Sequence, residues 1–172
     1  MLKAVSKLVV ALNSNVKKTE IAAGIAWGVL LGLVPAGNFF WVVLFLVSFF
    51  FNVHHGIKLG FFALVKVIAP AFAMAIDSLG WTILHIEQLK PLFTSMYNMP
   101  FVPFTKFNNT LVAGGLAAGV ILWLPVFFGM LPLITLYRNT VGPKIRKSAV
   151  VQKIAKFPLF KLVDKVITGS GK

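Results

Sequence analysis

The chain has 172 residues, of which 58% are apolar and 12% are charged, and its mean hydropathy of +0.88 is too high for a soluble domain. Its 17 Lys and Arg residues outnumber its 4 Asp and Glu residues, so the net charge is +13. Most of the chain between the two basic ends favours lipid over water. We therefore expect its positive charge to bind anionic phospholipids and not nucleic acid. The lack of cysteine excludes disulfides and thiol catalysis.

Residues 1–18 predict an amphipathic helix at the membrane surface. Apolar side chains recur there at helical spacing with lysines between them, a pattern typical of a helix lying in the headgroup region: Leu2, Val5, Leu8, Val9 and Leu12.

Residues 19–53 predict a short helical hairpin centred on proline. No charge occurs from Ile21 to Val53, but Pro35-Ala36-Gly37-Asn38 interrupts the run after 14 residues. Because each half covers about 20 Å of a hydrocarbon core of about 30 Å, we favour a re-entrant hairpin with its turn buried in protein. Two thin, tilted spans are the alternative, and they would make four crossings instead of two.

Two longer segments, 58–84 and 110–137, are predicted to cross the membrane. Pro125 and Pro132 should break or kink the second segment. Between these crossings, residues 85–109 combine prolines with many aromatic side chains and predict an external loop lying in the interface.

The tail at 138–172 predicts a basic, amphipathic, cytoplasmic segment. Lysine and arginine gather at both chain ends, so both termini should be cytoplasmic and the number of crossings even. We expect Lys156, Lys161 and Lys165 of this tail to contact anionic phospholipid.

Four residues at the hairpin tip and within the first crossing are candidates for lipid or partner contact: Pro35, Gly37, Asn38 and Asp77. Asn38 has a second interpretation, as the cap of the helix that follows it. Lys66 and Asp77 lie eleven residues apart on one face of this segment and have two joint interpretations. Either Lys66 extends toward the cytoplasm and Asp77 toward the outer interface, or the two form a polar stripe that faces the hairpin, with Asp77 meeting Asn38 or another buried dipole.

Two further groups of residues indicate packing and docking. Gly24, Gly28 and Gly32 recur every four residues on the first hairpin helix and should let another helix approach closely. In the external loop, Phe101, Phe104 and Phe107 are candidates for contact with lipid or a partner.

The sequence predicts no enzyme, no cofactor and no metal site. His54 and His55 are adjacent, so a helix would point them about 100° apart. His85 has only Glu87 nearby, two residues on, which makes neither a zinc pair nor a general-base dyad.

Several short elements resemble a family of small bacterial inner-membrane proteins. They are Leu12-Asn13-Ser14-Asn15, Ile21-Ala22-x-Gly24, Leu31-Gly32-Leu33-Val34-Pro35 and Asn52-Val53. The resemblance implies a bacterium with an outer membrane and a gene usually paired with that of a larger envelope protein. It carries over no functional residue.

Together these features predict an all-α integral membrane protein of the bacterial inner membrane. It would be a non-enzymatic subunit that anchors a larger periplasmic or envelope-spanning protein, in phospholipid transfer toward the outer membrane. The alternative is an autonomous small transporter or channel, with a site formed by the Pro35–Asn38 turn, Asp77 and the Pro125 and Pro132 break.

Overall fold

The computed structural model describes residues 16–140, and this part of the chain is helical without strands. Its α-helices are α1 (Lys18–Leu33), α2 (Phe39–Val47), α3 (His55–Ile68), α4 (Ala73–Leu84), α5 (Lys90–Tyr97) and α6 (Thr110–Thr140). Short 3₁₀ helices occupy Ala69–Phe72, Glu87–Leu89 and Val102–Thr105. The amphipathic segment predicted before α1 and the tail lysines Lys156, Lys161 and Lys165 lie outside the described residues.

Two apolar stretches within residues 16–140 are long enough to cross a membrane. Helices α3 and α4 join through a 3₁₀ turn into the 30-residue stretch His55–Leu84, and α6 adds 31 residues. Few residues of either stretch are buried inside the protein, as expected where lipid is the neighbour.

Helix α6 corrects one expectation. It continues through Pro125 and Pro132 without interruption, so these prolines do not break it. Membrane helices tolerate such residues because local adjustments and neighbouring groups satisfy the freed carbonyls.

Helix α1 is central in this arrangement, whereas α2 lies on its outside. Buried side chains occur all around α1, which is why it shows no polar face, and α2 has no buried residue. Small residues of α1, among them Ala22 and Ala26, are fully buried and let its neighbours approach.

Glycines set the closest helix contacts. A Cβ added to Gly28 would lie 2.7 Å from the Lys58 carbonyl oxygen, and one added to Gly32 would lie 2.6 Å from the Val65 Cβ. The three predicted glycines of α1, Gly24 included, therefore all face α3 or the residue before it. Since α1 meets His54 at its start and Val65 near its end, α1 and α3 run parallel.

A second glycine contact joins α4 and α6. A Cβ on Gly80 would lie 1.8 Å from the Thr110 carbonyl oxygen, and one on Gly114 would lie 1.9 Å from that of Ile76. These two backbones touch directly, so no side chain larger than hydrogen fits between them.

Candidate functional site: a hairpin held by two lysines

The turn between α1 and α2 is closed by local hydrogen bonds. The Asn38 side chain donates to the Pro35 carbonyl oxygen at 2.7 Å and accepts from the Trp41 backbone N–H at 2.7 Å. Gly37 has a φ of +90°, which favours glycine, and open space surrounds it. Asn38 thus has the capping role that was one of its two interpretations.

Lys66 binds the end of α1. Its Nζ donates to the Val34 carbonyl oxygen at 2.7 Å and to that of Gly32 at 3.3 Å, while the Trp41 indole N–H donates to Leu31 O at 3.0 Å. The last carbonyls of a helix lack partners within it and form the negative end of its dipole, so a cation and an indole donor stabilise them. Of its two interpretations, Lys66 thus has the one in which it faces the hairpin.

Lys58 joins α3 to the end of α2. Its side chain is fully buried, and its Nζ donates to Ser48 Oγ at 2.7 Å and lies 4.0 Å from the ring centroid of Phe49. Ser48, also fully buried, donates onward to the Phe45 carbonyl oxygen at 2.5 Å. The aromatic face and the hydroxyl together replace the water that a buried ammonium would lose.

The two lysines act together on the hairpin. They are eight residues apart on α3, hence on similar faces and about 12 Å apart along its axis. Neither forms an ion pair, because the one salt bridge among residues 16–140 joins Lys90 to Glu87. They are two fixed donors that hold the end of α1 and the end of α2 against α3.

The turn after α1 lies beside both apolar stretches. Lys66, the twelfth residue of the 30-residue stretch that starts at His55, donates to Val34. Gly115, the sixth residue of α6, meets the same part of the chain, because a Cβ added to it would lie 2.6 Å from the Leu33 carbonyl oxygen.

Asp77 is exposed and does not contact the hairpin turn. Its carboxylate accepts a hydrogen bond from the Thr110 hydroxyl, next to the Gly80 and Gly114 contact between α4 and α6. Asn38 uses its side chain within the turn, so of the two interpretations of Asp77 the meeting with Asn38 is not the one formed.

The loop predicted at 85–109 contains a helix, since α5 lies within it. Phe101 and Phe104 are 70% and 68% exposed, whereas Phe107 packs with ring centroids 6.1 Å from Phe93 and 6.4 Å from Tyr97. The structure thus separates Phe107 from the other two phenylalanines.

Sequence reasoning missed Lys58 and Ser48. The spacing of Lys58 from Lys66 placed both cations on one side of an apolar helix, and Ser48 is the one hydroxyl between Phe39 and Phe51. Both features were visible in the sequence, but nothing local shows that one contacts the other.

Among residues 16–140 no three His, Asp or Glu side chains are grouped so that they could hold a metal ion.

Comparison with known proteins shows one relationship over nearly the whole chain. An uncharacterized protein of Treponema pallidum (strain Nichols) is 32% identical over 161 residues, which cover 94% of this chain and 99% of the relative. The chain belongs to the family of that protein. No family model matches the sequence, and no solved structure matches it.

Proposed function

We propose that the chain is a non-enzymatic subunit of the bacterial inner membrane that anchors a larger periplasmic or envelope-spanning protein, in an assembly that transfers phospholipid toward the outer membrane. The proposal is supported by what the polar side chains inside the described helices bind, because their partners are other parts of the same chain. Lys58, Lys66 and Asp77 all bond to other helices or turns of the chain. They hold the fold together, as expected of a scaffold.

The same contacts support the re-entrant hairpin. The His54 backbone N–H donates to the Glu20 carbonyl oxygen at 3.0 Å, so α1 and α3 start at the same level. With both basic termini in the cytoplasm, the hairpin enters and leaves on the cytoplasmic side and its tip stops beside Lys66.

Cysteine labelling tests this topology. Ala36→Cys should resist a membrane-impermeant maleimide added from outside, because the tip lies within the bilayer. Glu87→Cys, in the predicted external segment, is the matched control and should be labelled, because the Glu87 side chain is 84% exposed and lies outside the proposed partner contact. Rapid labelling at position 36 from outside would instead favour four crossings.

The exposed phenylalanines Phe101 and Phe104 are the proposed contact with the larger protein. Exposed aromatic side chains are common at protein interfaces, and the family resemblance implies a larger partner encoded next to this gene. They lie between the two apolar stretches, and with both termini in the cytoplasm they would face the external side of the membrane.

Co-purification tests the partner. The chain should purify in stoichiometric amounts with the product of the neighbouring gene, and replacement of Phe101 and Phe104 by serine should reduce that yield at least tenfold. Phe50→Ser is the matched control, since Phe50 is 89% exposed but lies in the connector between α2 and α3. A homo-oligomer that binds solute without a partner would support the transporter alternative.

The transporter alternative now lacks its proposed site. Asn38 and Asp77 have separate partners, and α6 is continuous through Pro125 and Pro132.

Lipid transfer is tested in cells that carry the gene. Depletion of the protein in a strain without redundant transfer systems should lower outer-membrane phospholipid, and the variant with serine at positions 101 and 104 should fail to restore it. If cells with that variant keep a normal phospholipid content in the outer membrane, the protein does not take part in lipid transfer through these two phenylalanines, and only the anchoring role remains.

A further inference from the structure

A cleft of about 290 Å³ opens beside the start of α1 and has a polar end and an apolar end. Lys17, Thr19 and Glu20 form the polar end together with Asn52 from the connector before α3. Because helix α1 begins without a side-chain cap, its first N–H groups add to the donors at this end.

The apolar end is built from two aromatic pairs. Trp27 and Phe51 line the cleft with ring centroids 5.1 Å apart, and Trp123 and Phe127 of α6 line it with ring centroids 5.3 Å apart. Trp27 is seven residues after Glu20 on α1, so the cleft changes from polar to apolar over about 10 Å. This length matches the distance from the headgroup of a phospholipid to the upper part of its acyl chains.

The polar end carries one charge of each sign. The Lys17 ammonium is exposed and the Glu20 carboxylate is half-buried, and no ion pair joins them in the described part of the chain. An anionic lipid would meet the Glu20 carboxylate as a like charge. A headgroup with a phosphate and an ammonium would satisfy both residues.

Trp27 supplies an independent indication of a ligand. Its side chain is 7% exposed, and within residues 16–140 its Nε1–H is the one buried side-chain polar group without a hydrogen-bond partner. Buried donors are nearly always paired, and an ester carbonyl of a bound lipid is an acceptor of suitable chemistry.

We propose that this cleft binds one phospholipid with a zwitterionic headgroup that bears a primary amine. The phosphate is held at Lys17 and the first turn of α1, and the ammonium is held at Glu20. The glycerol ester lies near Trp27, and an acyl chain lies along the aromatic side chains that line the cleft. The site goes beyond the anchoring role, and it rests on the proposed function only in placing Lys17 at a membrane surface.

Native mass spectrometry of the purified full chain tests the site. The protein is mixed with equimolar phosphatidylethanolamine and phosphatidylcholine of identical acyl chains in detergent, and the bound lipid is counted. We expect one retained lipid with about a tenfold preference for the ethanolamine form, because only its ammonium donates hydrogen bonds to Glu20.

Matched variants assign the preference to the cleft. Glu20→Gln should bring the ratio of bound phosphatidylethanolamine to bound phosphatidylcholine close to unity. Lys17→Gln should reduce the retention of both lipids, and Trp27→Phe should also reduce it by removing the indole donor. The controls are Glu87→Gln and Trp81→Phe, which change the same residue types outside the cleft and should behave like the wild type. Thermal unfolding of each variant verifies that it is folded, and Glu20→Gln, at a half-buried position, provides the decisive comparison.

Three results would overturn the proposal. Equal retention of both lipids by the wild type would exclude headgroup recognition, and an unchanged preference in Glu20→Gln would place that recognition elsewhere. Soluble glycerophosphoethanolamine that competes as well as the full lipid would indicate a site for a free headgroup without an acyl chain. Because no partner protein is present, these outcomes are independent of whether the anchoring role is correct.

Discussion

Replacement of single glycines by alanine should destabilise the protein in proportion to the closeness of the backbone each one faces. Gly129, Gly28 and Gly80 form a graded series. A Cβ at Gly129 meets nothing within 4 Å, one at Gly28 lies 2.7 Å from the Lys58 carbonyl oxygen, and one at Gly80 lies 1.8 Å from the Thr110 carbonyl oxygen.

The magnitudes follow from two opposing effects. Alanine favours a helix over glycine by about 1 kcal/mol, so Gly129→Ala should raise the free energy of unfolding by up to that amount. Overpacking costs about 1–3 kcal/mol, so Gly28→Ala should lower the free energy of unfolding by up to about 2 kcal/mol. Gly80→Ala faces backbone atoms that cannot rotate away, and its net cost should be about 2 kcal/mol or more.

Unfolding titrations in mixed micelles with increasing sodium dodecyl sulfate, followed by circular dichroism, measure these differences. The expected order of stability is Gly129→Ala, wild type, Gly28→Ala and then Gly80→Ala. If Gly80→Ala were as stable as Gly129→Ala, α4 and α6 would not be in direct backbone contact and the packing argument would fail.

Five other substitutions, at four positions, probe the hairpin and the segment at 85–109 by the same titration. Ser48→Ala should lower the free energy of unfolding by about 1–3 kcal/mol, because it leaves the buried Lys58 ammonium without its acceptor. Lys58→Met removes the charge and keeps the volume, so it should lower the free energy of unfolding by less than about 1.5 kcal/mol. A larger loss for Lys58→Met than for Ser48→Ala would contradict this order. Asn38→Ala should cost about 0.5–2 kcal/mol through loss of the helix cap, and Asn38→Ser should recover most of it. Phe101→Gly should raise the free energy of unfolding by about 1 kcal/mol, because the backbone φ of 71° at Phe101 suits glycine. The same variant should co-purify with less partner protein. A loss of stability would show that the backbone at Phe101 is not strained.

The sequence by itself determined the apolar stretches and the turn between the first two helices. Both depend on local properties, since the length of an uncharged run limits what it can span and a Pro-Ala-Gly-Asn segment disfavours helix. Even the cap at Asn38 was accessible, because the donor that it binds is only three residues away. The helical class followed from the same local patterns.

Only the tertiary structure decided which groups meet. The partners of Lys66 lie 32 and 34 residues away, and Thr110 lies 33 residues from Asp77, so no local pattern relates them. The sequence left both interpretations of Lys66 open because it cannot show the free carbonyls at the end of another helix. Those carbonyls become available only when glycines allow α1 and α3 to touch, and the free energy of a charge inside the protein depends on that contact.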